Sequence, residues 1–190
     1  MTAPTRVAGW GSGAFGSLVT WTVAEGRQGR RWREVVSQDG TVLHALLLET
    51  DPDRRFSHLE LARADGLWTF HPEPDGTLHG NHVGGSKPDV KHVAGWPFAP
   101  DDALIIEGSP ISLAAIAWRW ARTLAAGEVA PPGIGGVMIR PGSELVRVPG
   151  LRIERLSATR WQVGEGSAFD IDEAGLPVLS GGTIRPLEAG

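Results

Sequence analysis

Six histidines are the residues of this chain best suited to acid–base chemistry or metal ligation. Two of them, His79 and His82, stand three apart in the run HGNH. On a strand, that separation sends the two side chains to opposite faces, so they do not share one ion. His44, His58, His71 and His92 fall on separate stretches, and only a sheet that brings two or three together would make a ligand set. The densest carboxylate group is Asp170, Asp172 and Glu173 in DIDE. Two aspartates on one strand face fall well short of the roughly six to eight oxygens that calcium takes, and DIDEAG reads as a strand end running into a turn. Ser109 lacks a G-x-S-x-G elbow, and Pro110 removes a backbone N–H where an oxyanion hole would need one. The runs GWGSGAFG and GIGG share the composition of phosphate loops but lack the Lys-Ser/Thr pair and the helix that follow one. No catalytic residue, metal or cofactor is expected.

These residues must be positioned by a chain that alternates through most of its length. Turn signals recur every ten residues or so: Gln38-Asp39-Gly40-Thr41, Asp51-Pro52-Asp53, Ala64-Asp65-Gly66 and Pro74-Asp75-Gly76. Between them lie stretches of period two. Phe15, Ser17, Val19, Trp21 and Val23 share one face of the first, followed by Arg31–Ser37, Thr41–Thr50, Phe56–Ala64, Leu67–His71 and Thr77–Val83. A polar loop at Gly84–Asp89 precedes shorter strands at Val90–Trp96 and Ala103–Glu107. More strands follow at Val137–Arg140, Glu144–Val148, Leu151–Leu156, Arg160–Val163, Ala168–Ile171, Leu176–Leu179 and Thr183–Leu187. Residues 1–13, rich in Gly, Ala and Thr, are expected as a loose arm ahead of a single antiparallel domain over 14–188.

One segment breaks the alternation. Ser109 stands as an N-cap before Pro110 at the first helical position, and Gly127 with Pro131-Pro132 closes the run. A helix is expected over about 109–126. Ser112, Ala115, Arg119 and Arg122 make one narrow polar face, flanked by two apolar stripes. A surface helix has one such stripe, so this helix should be gripped from several sides. The expected fold is mainly β: a curved antiparallel sheet, or incomplete β-barrel, wrapped around one long helix.

Composition narrows the function classes. With 190 residues, 41% hydrophobic and 21% charged, the chain suits one well-cored soluble domain. A net charge of -4 gives no clustered positive field for nucleic acid. The absence of cysteine excludes disulfides, thiolate metal sites and cysteine nucleophiles. No secretory signal and no apolar run of about 18 residues is visible, so a cytoplasmic protein without a transmembrane segment is expected. Eight tryptophans and no tyrosine supply stacking surface, for a core or for a ligand.

The stretch Ala103–Trp118, ALIIEGSPISLAAIAW, resembles the place in a glycolipid-binding domain family of bacteria where a strand enters a Ser/Thr-Pro helix start. The tail Leu151–Glu188 is also similar, with Arg152-Ile153-Glu154 and Asp172-Glu173-Ala174-Gly175-Leu176 standing at that family's closing strand and turn. The family's helix start carries an Asn-Thr-Leu-Pro-Ile-Arg-Arg type run, whereas Leu113-Ala114-Ala115-Ile116-Ala117-Trp118 is apolar here. The resemblance implies a half-barrel closing on a helix, akin to outer-membrane lipoprotein carriers, and transfers no catalytic residue.

The functional expectation is non-enzymatic binding of a lipid, glycolipid or other apolar or amphipathic small molecule between sheet and helix. Trp118, Trp120, Trp21 and Trp68 would line the ligand, with Arg119 and Arg122 pairing an anionic head group if their face meets a cavity. Two alternatives stand beside it. One is a small-molecule enzyme with His79 or His82 as base; the other is a structural domain without a pocket, dimerising through exposed apolar strands.

Overall fold

A computed structural model describes residues 5–84 and 90–187. Most of the loop expected at Gly84–Asp89, and residues 1–4 of the expected arm, lie outside the described residues. The chain divides into two compact units, residues 1–100 with 180–190 and residues 101–179.

The first unit is a nine-stranded antiparallel sheet. Its strands are β1 (Thr5–Ser12), β2 (Leu18–Gly26), β3 (Gly29–Gln38), β4 (Thr41–Thr50), β5 (Phe56–Arg63), β6 (Gly66–Pro72), β7 (Thr77–Gly84) and β8 (Val90–Pro97), joined by the last strand, here β17 (Ser180–Pro186). The order is β17-β1-β2-β3-β4-β5-β6-β7-β8, a meander with the chain's end added beside its beginning. The sheet is open, with edges at β17 and β8. Alternation gives it one buried face and one open face. Trp21, Glu34, Leu46, Leu61 and Trp68 lie in one cross-strand row of the buried face, and Val23, Trp32, Leu48, Leu59 and Phe70 lie in the next.

Residues 5–12, expected as part of a loose arm, form β1 and pair on both sides, with β2 and β17. The alternation there is hidden because glycine holds the buried phase. Gly9 lies beneath the indole of Trp21, so that a Cβ at this position would fall 2.2 Å from the ring. Phe15, expected on one strand face with Ser17, Val19, Trp21 and Val23, instead sits in a 3-10 turn at Ala14–Gly16 with 94% of its surface exposed.

The second unit holds the helix and two small sheets. β9 (Ala103–Ile106) runs into α1 (Pro110–Trp120), and β11 (Gly136–Ile139) returns parallel to β9, with β12 (Leu145–Val148) added antiparallel. This parallel pair departs from the all-antiparallel expectation. A parallel return needs a long crossover, and the helix supplies it. The other sheet is β10-β13-β14-β15-β16, made of β10 (Glu128–Val129), β13 (Ile153–Arg155), β14 (Arg160–Val163), β15 (Phe169–Ile171) and β16 (Pro177–Val178).

The helix starts where the sequence places it. Ser109 Oγ accepts from Ser112 N at 3.1 Å, and Ser112, fully buried, donates its hydroxyl to the Ser109 and Ile106 carbonyls. It is shorter than expected, ending at Trp120 rather than near residue 126. Just past that end, Arg155 Nη1 of β13 donates to the carbonyls of Leu124 (2.7 Å) and Ala121 (3.3 Å), setting a cation beside the helix C-terminus. Within its own unit the helix packs on β9, β14 and β16, rather than inside one curved sheet. Trp118 lies over Gly175, which has φ +76 and whose added Cβ would meet the indole at 2.2 Å. Gly175→Ala therefore combines overpacking with a left-handed backbone and is expected to cost about 3 kcal/mol. Denaturant unfolding checks this, and an unchanged midpoint would contradict the packing described.

Candidate functional site

Trp21, Trp118 and Trp120 are buried, and Trp68 is partly so. Trp68 stacks on His82 with ring centroids 4.2 Å apart, and on Phe70 at 5.9 Å. Arg119 donates to Asp101 at 2.7 Å and lies over the Trp120 ring, so its charge is engaged within the protein. Arg122 is exposed just beyond the helix end. The structure thus places Trp21 and Trp68 in one row of the nine-stranded sheet, and Trp118, Arg119, Trp120 and Arg122 on or just past the helix of the other unit.

The histidines divide in the same way. His79 is exposed on the open face, with its ring 6.4 Å from that of His71, which pairs with Glu73 at 2.8 Å. His82 points to the other face, as the spacing of three requires, and its Nε2 lies 3.2 Å from the Asp65 carbonyl. No group of three or more His, Cys, Asp or Glu placed to hold a metal ion occurs among the described residues. In DIDE, Asp170 accepts from Arg160 at 3.1 Å and Asp172 accepts from Leu176 N at 2.8 Å, the turn work its sequence suggested.

One ionisable pair lies inside the apolar face. Glu34 and His44 are almost wholly buried, and His44 Nε2 lies 2.9 Å from Glu34 Oε1. A carboxylate only accepts, so with Glu34 ionised the Nε2 carries the proton. The pair bridges β3 and β4 where the ladder between them shifts register, just past Val36.

Two depressions open on the first unit. The larger, about 1000 Å³, surrounds the β2–β3 turn; there Arg30 pairs with Glu25, and Arg31 with Glu49. The smaller, about 590 Å³, lies over β17, β1, β2 and β3 and has a chemically clearer lining. Its lining includes Gly9, Trp21 and Glu34, but alternation directs the Trp21 and Glu34 side chains to the buried face, leaving backbone here. The side chains facing the groove form two rows. Thr183, Trp10, Thr20 and Val35 form one, and Arg185, Ala8, Thr22 and Arg33 form the next.

The floor is therefore small (Ala8, Thr20, Thr22), and one wall carries Trp10, half exposed. The ends carry Arg33 and Arg185, exposed cations that form no ion pair among the described residues. Sequence reasoning missed Trp10, Arg33 and Arg185. Trp10 belonged to the segment taken as an arm, and the arginines meet only through pairing of the chain's last strand with its first. The signal was present in the alternation of Arg6, Ala8, Trp10 and Ser12.

The described residues form a mainly β fold with a large open antiparallel sheet, one short α-helix and a groove on the open face of the sheet. No family model matches the chain, and no curated protein is significantly similar to it. Among solved structures, it is similar to a DUF1089 family protein from Pseudomonas aeruginosa, with a TM-score of 0.54 and 17% identity over 84% of this chain and 86% of that one. Identity at this level establishes likeness of fold alone. Among the described residues, no helix is long and apolar enough to cross a membrane.

The buried pair has a direct test. His44→Ala leaves the Glu34 carboxylate without this partner in an apolar layer and is expected to lose about 3 kcal/mol of stability. Chemical unfolding measures it, and a loss under about 0.5 kcal/mol, the scale of an ordinary surface change, would place the pair in contact with water.

Proposed function

We propose that this protein is a non-enzymatic binding protein for an amphipathic small molecule of the lipid or glycolipid class. The groove over β17, β1, β2 and β3 carries the reading. It sets an exposed indole face, Trp10, beside two cations with no ion pair among the described residues, over a floor of small side chains. An indole face stacks on a sugar ring or an acyl chain, and the guanidinium groups of Arg33 and Arg185 suit a phosphate or carboxylate. Its volume of about 590 Å³ falls in the range that small-molecule sites occupy. The resemblance of Ala103–Trp118 and Leu151–Glu188 to a glycolipid-binding family supports the same ligand class. The enzymatic alternative has less to support it, since His82 is held against Trp68 and His79 stands exposed.

Binding is measured by tryptophan fluorescence against a panel of short-chain phospholipids and glycolipids below their micellar concentrations, with native mass spectrometry for co-purifying molecules. Trp10→Ala is expected to weaken binding about tenfold. Trp118→Ala is expected instead to lower stability by about 3 kcal/mol with little effect on affinity, because its indole is buried. A flat titration across the panel with no co-purifying ligand would overturn the reading.

A further inference from the structure

The end of the nine-stranded sheet that carries the β1–β2 and β3–β4 turns exposes apolar side chains that a water-facing turn has no use for. Phe15 is 94% exposed at the apex of the first turn, and Leu18, Val42 and Leu43 are exposed beside it. They form one cluster: Leu18 pairs with Ser37, which pairs with Val42, and Gln38 Nε2 donates to the Phe15 carbonyl at 3.1 Å across the two turns.

The presentation of Phe15 is built rather than loose. Its backbone is left-handed (φ 54), a conformation that bulky residues rarely adopt. Three hydrogen bonds close the turn: Gly13 N to the Ser17 carbonyl and Ser17 Oγ to the Ala14 carbonyl, both at 2.8 Å, and Ser17 N to the Ala14 carbonyl at 3.1 Å. A strained backbone that aims an aromatic ring at solvent calls for an external partner.

The open face behind this tip is graded. The row next to Leu18 holds Trp10, Thr20 and Val35; the row beyond it holds Arg185, Ala8, Thr22 and Arg33. Two residues along a strand advance about 6.7 Å, so the arginines stand about 13 Å behind Leu18. Apolar tip, then tryptophan, then cations is the order in which a bilayer presents acyl chains, interface and phosphates. With a net charge of -4, the protein as a whole would be repelled by an anionic surface, so local arginines must set the approach.

We propose that this tip docks the protein on an anionic bilayer, with Phe15, Leu18, Val42 and Leu43 entering the acyl boundary and Arg33 and Arg185 meeting lipid phosphates. The acidic residue in these turns, Asp39, opposes docking. The inference goes beyond the binding of a monomeric ligand: it shares Arg33 and Arg185 with the groove, while Phe15, Leu18, Val42 and Leu43 lie outside it.

The experiment is flotation of the full chain with vesicles of phosphatidylcholine alone and of phosphatidylcholine with phosphatidylglycerol. Wild type is expected to float with the anionic vesicles, less so as salt rises, and weakly with the neutral ones. Phe15→Gly removes the ring and suits the left-handed backbone, so the variant keeps its fold; it is expected to bind vesicles about tenfold more weakly. Its affinity for a soluble short-chain ligand should stay unchanged. Arg33→Glu with Arg185→Glu should abolish the preference for anionic vesicles, and Asp39→Asn should strengthen it. The proposal is overturned if wild type stays with the soluble fraction, or if Phe15→Gly floats as wild type does. It is equally overturned if the tip proves to drive self-association that Phe15→Gly abolishes without any vesicle binding.

Discussion

Alternation across nine paired strands is the constraint from which the rest of the first unit follows. Each β-strand residue points to one face or the other, and here one face takes Val19, Trp21, Trp32, Leu46, Leu48, Leu59, Leu61 and Phe70, all nearly inaccessible to water. Burial of that much apolar surface fixes the register, because a slip of one residue would exchange the two faces. Once the register is fixed, Trp10, Arg33 and Arg185 meet on the open face without any local signal linking them. The same phase rule accounts for Gly9 and Gly80. Each lies against an aromatic ring on the buried face, Trp21 in the first case and Phe70 in the second, and a side chain at either would displace the ring.

Tryptophan content here reflects packing as well as exposed surface. Large indoles fill wide spaces between layers as readily as they stack on ligands. Trp32 and Trp161 are wholly buried, and Trp118 is fitted against the backbone of Gly175. An exposed indole beside cations that form no ion pair among the described residues is the better place to seek function, and Trp10 meets that description. Arg119, which resembles a ligand-pairing residue in sequence, is occupied by Asp101 and the face of Trp120.

Local chemistry was legible in the sequence; long-range pairing was not. Asp39-Gly40 and Asp65-Gly66 mark their hairpins because glycine accepts the positive φ those turns need. Ser109-Pro110 marks the helix start because capping is a contact over three residues. The helix is shorter than its apolar run because residues after Trp120 form a turn, whose carbonyls at Ala121 and Leu124 accept from Arg155, 31 residues beyond Leu124. The parallel pairing of β9 with β11 depends on a partner across the helix, and β1 was obscured by glycine in the apolar phase. Phe15 kept the right parity for a buried strand residue, but the tight turn at Ala14–Gly16 took it out of the strand.

The central claim is that recognition belongs to the open face of the sheet and not to the tryptophan-filled interior. Eight indole N–H groups give eight separable signals in a nitrogen-15 spectrum, assignable by single substitutions. On titration with a short-chain anionic phospholipid or glycolipid, the account predicts that the Trp10 signal shifts while those of Trp32, Trp118 and Trp161 stay in place. Shifts at Trp118 and Trp120 with Trp10 unmoved would contradict it.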